Sequence, residues 1–210
     1  MRDSLQLGIY AVINPFVRLL IRMGVTPNAV TTIGLLGNLG AAVLFAVAGY
    51  KATESGEVDW ALIIIAGAVI ILFSLFDMLD GQVARLGNMV SRFGAMYDSV
   101  LDRYCELFTL GGITYFLFSA GCQWGALITF LAMIGSVMVS YVRARAEGLG
   151  IECKMGFMQR PERVVVTSLA TLAAGIAQST LVLAIAMAVI ALFANLTAFA
   201  RLAHCARQLR

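Results

Sequence analysis

Between Val164 and Ala200 the chain runs for 37 residues without one charged side chain. A bilayer's hydrocarbon core needs roughly 20 predominantly apolar residues in one helix, so this run is too long for one span and long enough for two short ones. Gln178-Ser179-Thr180 is the one polar cluster near its middle and marks the expected turn. Comparable apolar stretches lie at about 28–49, 60–84, 93–119 and 123–146. The expected fold is therefore all-α and membrane-integral, with six transmembrane helices. Composition agrees: 13% of residues are charged and mean hydropathy is +0.89, where soluble domains carry about 25% charge. No polar stretch is long enough to build a soluble domain.

Charge placement orients these spans. With both termini cytoplasmic, 14 of the 15 Lys and Arg residues fall on inner segments or inner helix ends, and only Lys51 falls outside, in KATESGEVD. That is the positive-inside pattern of a protein in the cell's inner membrane, and Trp60 and Trp124 begin spans at the outer interface, where aromatic belts form. Residues 1–25 read as an interfacial amphipathic helix, and 26–210 as the six-span domain. Leu5, Ile9, Val12, Phe16, Leu20 and Met23 recur at intervals of three or four, with Arg18 and Arg22 on another face. Asn14-Pro15 reads as a cap with Pro at the first helical position, Gly24 as the stop, and Thr26 or Asn28 as cap of the next helix. This region does not read as a cleaved signal peptide, because Asp3, Asn14-Pro15 and Arg18 interrupt it and no small-residue cleavage site follows. The four cysteines are scattered with no metal-ligand spacing, and His204 is the only histidine. Zinc sites and histidine-based triads are excluded, and no nucleic-acid partner is expected.

Against this background FDMLDGQVARLGNMVSRFGAMYDSVLDR, residues 76–103, stands out. Each aspartate facing lipid at mid-membrane would cost about 2.5–3.5 kcal/mol, so Asp77, Asp80, Asp98 and Asp102 must face a cavity, a cation or one another. Asp77 and Asp80 are three apart, Asp98 and Asp102 four apart, so each pair shares one side of its helix. Four carboxylates in one cleft repel, and a hard divalent cation with oxygen ligands relieves that. Gly81, Ala84 and Gly94 leave helix surface without bulk, and Arg85 offers a phosphate partner. An ion-pair network with Arg85, Arg92 and Arg103 accounts for the charges but not for the small residues. A metal-ion transporter would set its acids nearer mid-membrane.

The spacing Asp77-x2-Asp80-Gly81-x2-Ala84-Arg85-x8-Gly94-x3-Asp98-x3-Asp102 fills all eight positions of a family motif over 26 residues. On these residues the chain resembles the CDP-alcohol phosphatidyltransferase family. The resemblance implies displacement of CMP from CDP-diacylglycerol by an alcohol, with Mg2+ or Mn2+, in a homodimer within the lipid membrane. It implies that Asp77, Asp80 and Asp98 hold metal and that Asp102, in the same metal cluster, is the base. It also implies that Asp77, Asp80, Gly81, Ala84, Arg85 and Gly94 bind the CDP group. RFGAMYDSVLDR and YVRARAEGLGIECKMGFMQRPERVV resemble the branch that makes phosphatidylinositol phosphate, with Arg143 in place of Lys and Gln159 in place of Glu. That branch implies a basic pocket for the phosphate of inositol 1-phosphate at Arg143, Arg163 and Arg201. Free inositol and glycerol 3-phosphate remain alternative acceptors. For Arg143 and Arg163 the competing account is positive-inside topology and contact with anionic headgroups.

Overall fold

The computed structural model describes residues 13–209, and among them there is no strand. Residues 13–22 are helical (α1). They are followed by α2 (Pro27–Ser55), α3 (Trp60–Ser74), α4 (Phe76–Leu86), α5 (Arg92–Ser119), α6 (Gln123–Gly148), α7 (Arg160–Ala177) and α8 (Thr180–Gln208). Among the described residues four stretches are long and apolar enough to cross a membrane: Pro27–Ser55, Trp60–Leu86, Gln123–Gly148 and Thr180–Gln208. The charge-free run is two helices, with Gln178 in the left-handed region (φ 49°) and closing α7.

Large apolar side chains such as Trp124, Phe118, Ile176 and Phe199 are exposed on the outside of the bundle. Inside, α6 runs along α8, α2 along α5 and α3 along α7. Since lipid tails are as apolar as leucine, such helices associate through close packing and small residues. Gly67 and Gly175 show this between α3 and α7. A Cβ on Gly67 would lie 2.9 Å from the Leu172 side chain and 3.0 Å from its backbone nitrogen, and one on Gly175 would lie 2.5 Å from Ile64. Gly67→Val should therefore lower stability by about 1–3 kcal/mol through overpacking, read as a lower unfolding midpoint in detergent. A midpoint equal to that of the unsubstituted protein would mean that α7 can move aside.

The span expected over 60–84 is present as the apolar stretch Trp60–Leu86, and it divides at Leu75 into an apolar α3 and the aspartate-bearing α4. One expectation needs correction. Asn14-Pro15 does not open α1, since the helix is already under way at residue 13. Proline's fixed φ is helical, so Pro15 alone does not tell a first turn from a later one.

The face of α1 that packs is Ile13, Val17, Leu20 and Ile21, set against Val30, Leu79 and Val83, while Phe16, Leu19 and Met23 stay exposed. Of the proposed apolar positions, Leu5, Ile9 and Val12 lie outside the described residues. Gly24 (φ 75°) stops α1, and the Thr26 hydroxyl caps α2 by accepting from Ala29 N. Cys105, Cys153 and Cys205 are buried and Cys122 is half-buried, all as free thiols.

Candidate active site

Asp77 and Asp80 lie in the first half of α4 and Asp98 and Asp102 in the first half of α5, and α4 lies against α2. Ser91 caps α5 by accepting from Gly94 N at 2.9 Å, which fixes where Asp98 and Asp102 begin their helical spacing. The structure regroups the aspartates across the helices. Asp80 and Asp98 line an open groove of about 610 Å3 together with Gly81, Ala84, Arg85 and Gly94. Five of the six residues expected to bind CDP therefore meet in one place. Asn28 and Thr31 of α2 complete its wall, and Thr31 donates to Asp80 Oδ2 at 2.8 Å. Asp77 is the sixth, and it faces the other way.

On that other side Asp77 and Asp102 share one cation. Arg160 Nη2 lies 2.7 Å from Asp77 Oδ2 and 2.8 Å from Asp102 Oδ1. The second contact is a charge contact rather than a directed hydrogen bond, because Asp102 Oδ1 has no N–H aimed at it and is buried. Behind this group Asn38, Ser74, Asp77, Glu106, Thr109 and Arg163 help to line a cavity of about 30 Å3, room for about one water. Asp77 and Asp98 lie within range of each other's charge and of both Asp80 and Asp102. The four form a partition with the groove on one face and Arg160 and Arg163 on the other.

Of the three other arginines expected in the site, Arg143 and Arg163 are close enough to Arg201 for their charges to act on it. Each also has partners within the chain. Arg143 Nε bonds Glu147 Oε1 at 2.9 Å. Arg201, 2% exposed, donates Nε to the Met155 carbonyl and Nη1 to that of Val139, each at 2.7 Å. Arg163, also 2% exposed, forks onto Glu106 at 2.5 and 2.8 Å and donates Nη1 to the Met158 carbonyl at 3.0 Å. Sequence reasoning missed two members of the site, Glu106 and Arg160. Glu106 continues the four-residue spacing of Asp98 and Asp102, which was the available signal. Arg160 was noticed only as part of RPER.

The donor set suits a hard cation: oxygen carboxylates, one with a buried oxygen that has no hydrogen-bond partner. Among the described residues no three acidic, histidine or cysteine side chains close into a finished coordination shell. The reason is visible in the pairing, since Thr31 draws Asp80 aside and Arg160 holds Asp77 and Asp102.

Comparison with known proteins decides the family. Residues 24–203 match the family model described as CDP-alcohol phosphatidyltransferase. The chain belongs to that family. Curated relatives include phosphatidylinositol phosphate synthases of Mycobacteroides abscessus (34% identical over 73% of this chain and 64% of that one) and Mycobacterium marinum (36% over 74% and 62%). The match thus spans somewhat under two thirds of those relatives' length. Among solved structures it is similar to the Mycobacterium tuberculosis phosphatidylinositol phosphate synthase PgsA1 with CDP-DAG bound. The TM-score there is 0.81 and the identity 27%, over 93% of this chain and 94% of that one. The same enzyme in complex with manganese and citrate gives a TM-score of 0.80 at 28% identity, over 91% and 87% of the two chains. As in that family, the chain carries the motif on the two helices that form the partition.

Proposed function

We propose that this protein transfers the phosphatidyl group of CDP-diacylglycerol to inositol 1-phosphate, releasing CMP and forming phosphatidylinositol phosphate. The observation that carries this reading is the partition itself, with a groove on one face and Arg160 and Arg163 on the other. The solved relative with CDP-DAG bound supports the donor, and the curated relatives' names support the acceptor.

In this reading the nucleotide lies in the groove against Gly81, Ala84, Arg85 and Gly94, where the absence of bulky side chains lets phosphates approach the helices. Asp77, Asp80, Asp98 and Asp102 would hold Mg2+ or Mn2+, which the manganese-bound relative supports. Such a cation neutralises charge on a transferring phosphoryl group and on the leaving oxygen. Arg143, Arg163 and Arg201 orient the acceptor's phosphate. Asp102 lies one helical turn beyond Asp98 and outside the groove, in reach of an acceptor arriving from the arginine side. It takes the proton of the attacking hydroxyl as the new O–P bond forms and the bond to CMP breaks, and CMP leaves with that electron pair.

The same reading makes the chain a six-span protein of the inner membrane, with α5 and α7 crossing beside the four more apolar stretches. Residues 13–25 lie along the membrane surface, the rest of the expected 1–25 helix being outside the described residues, and the residues from 26 onward form the enzymatic domain. The termini and the active site face the cytoplasm, and the protein works as a homodimer.

One observation favours free inositol as the acceptor instead: Glu106 neutralises Arg163, which leaves fewer uncompensated cations for a phosphate. Acceptor kinetics separate the two. Inositol 1-phosphate should be used at lower KM than inositol. Arg143→Ala should raise the inositol 1-phosphate KM roughly tenfold, the weight of one charge-assisted hydrogen bond, and leave the CDP-diacylglycerol KM unchanged. Equal use of free inositol would contradict the phosphate-binding role.

A further inference from the structure

Arg160 makes its two ion contacts in an unusual way. An arginine meeting carboxylates usually offers a fork of two parallel N–H bonds, as Arg163 does toward Glu106. Arg160 instead puts the single nitrogen Nη2 between carboxylates of two different helices, and its Nε is buried without a hydrogen-bond partner. It hydrogen-bonds Asp77 and meets Asp102 by charge alone, from the same nitrogen. Poorly directed pairs return little against the desolvation they cost, so this arginine is a weak holder of the Asp102 oxygen and spends only one N–H on Asp77. A divalent cation brings twice the charge and needs several oxygens at once.

We propose that Arg160 competes with the divalent cation for Asp77 and Asp102, so that it sets the metal affinity of the site and yields both carboxylates when metal loads. This rests on the reading of the four aspartates as metal ligands. Arg163, three residues further on α7, is held by Glu106 and the Met158 carbonyl. That anchor keeps the first turn of α7 in place, so the exchange is a rotation of the Arg160 side chain. Arg103 supplies an internal comparison, because its charge also acts on Asp102 while its guanidinium bonds the Ser99 hydroxyl and carbonyl. It contributes field without occupying the carboxylates.

The test is equilibrium Mn2+ binding to the purified full-length protein, followed by loss of the aqueous Mn2+ signal in electron paramagnetic resonance. Arg160→Gln should bind Mn2+ roughly tenfold more tightly than the unsubstituted protein, a coupling of ordinary size. Arg160→Lys keeps the charge on a smaller donor set and should fall between the two, and it serves as well if the Gln variant folds poorly. Arg103→Gln should change the affinity by less than about threefold, since field alone is screened more readily than direct occupation. The proposal is overturned if Arg160→Gln binds Mn2+ no more tightly than the unsubstituted protein, or if Arg103→Gln tightens binding equally. Asp98→Asn distinguishes failure of the underlying reading. If it leaves Mn2+ binding unaltered, the aspartates are not the metal site and the proposal falls with them.

Discussion

Asp102→Asn should reduce turnover by about 10²–10⁴-fold, the range a positioned general base contributes, while CDP-diacylglycerol binds as before. The separation follows from the partition. Asp102 is not among the residues lining the groove, where Asp80 and Asp98 stand with the small residues of the motif. Asparagine keeps the shape of the side chain and removes its capacity to accept a proton from the attacking hydroxyl. The measurement is kcat for acceptor-dependent CMP release beside the equilibrium affinity for the donor lipid. Turnover within about tenfold of the unsubstituted enzyme would place the base elsewhere, and a matching loss of donor binding would make Asp102 a donor residue.

Glu106→Ala should be the most destabilising single change in the site, costing about 3–5 kcal/mol, because it strands a buried arginine without its counter-charge. The Arg163 side chain is 2% exposed and that of Glu106 10%, and the two meet through both carboxylate oxygens. No second acid is placed to replace Glu106, since Asp77 and Asp102 are engaged by Arg160. The readout is the unfolding midpoint in detergent. Replacing the pair together, as Glu106→Leu with Arg163→Leu, should recover most of the loss, because an apolar pair has no stranded charge. A single variant as stable as the unsubstituted protein would show that Arg163 finds another partner or reaches water.

These two residues also show how far the sequence could be read. Asp102 was legible because four acids in an apolar chain have few places to go, and helical spacing sorted them into pairs. The pairing across α4 and α5 was not legible. Spacing says which residues share a helix face but not how two helices turn toward each other, and it is this turn that sets Asp80 with Asp98 and Asp77 near Asp102. Glu106 lay in plain view at the next turn. Its partner is 57 residues away on α7, a separation that no local pattern bridges. The division at Gln178 was readable from length alone, whereas the helix break at Leu75 falls in an apolar run with no Gly or Pro to mark it. Arg143, Arg163 and Arg201 were grouped by resemblance. The structure adds the carboxylate and carbonyls that hold them.

In the proposed function the partition joins a CDP-activated lipid on one side to a phosphorylated polyol on the other. The test is CMP release by the purified protein, given CDP-diacylglycerol and Mn2+ with and without inositol 1-phosphate. CMP release should depend on inositol 1-phosphate and be matched by formation of phosphatidylinositol phosphate. No CMP release with inositol 1-phosphate, inositol or glycerol 3-phosphate would contradict it.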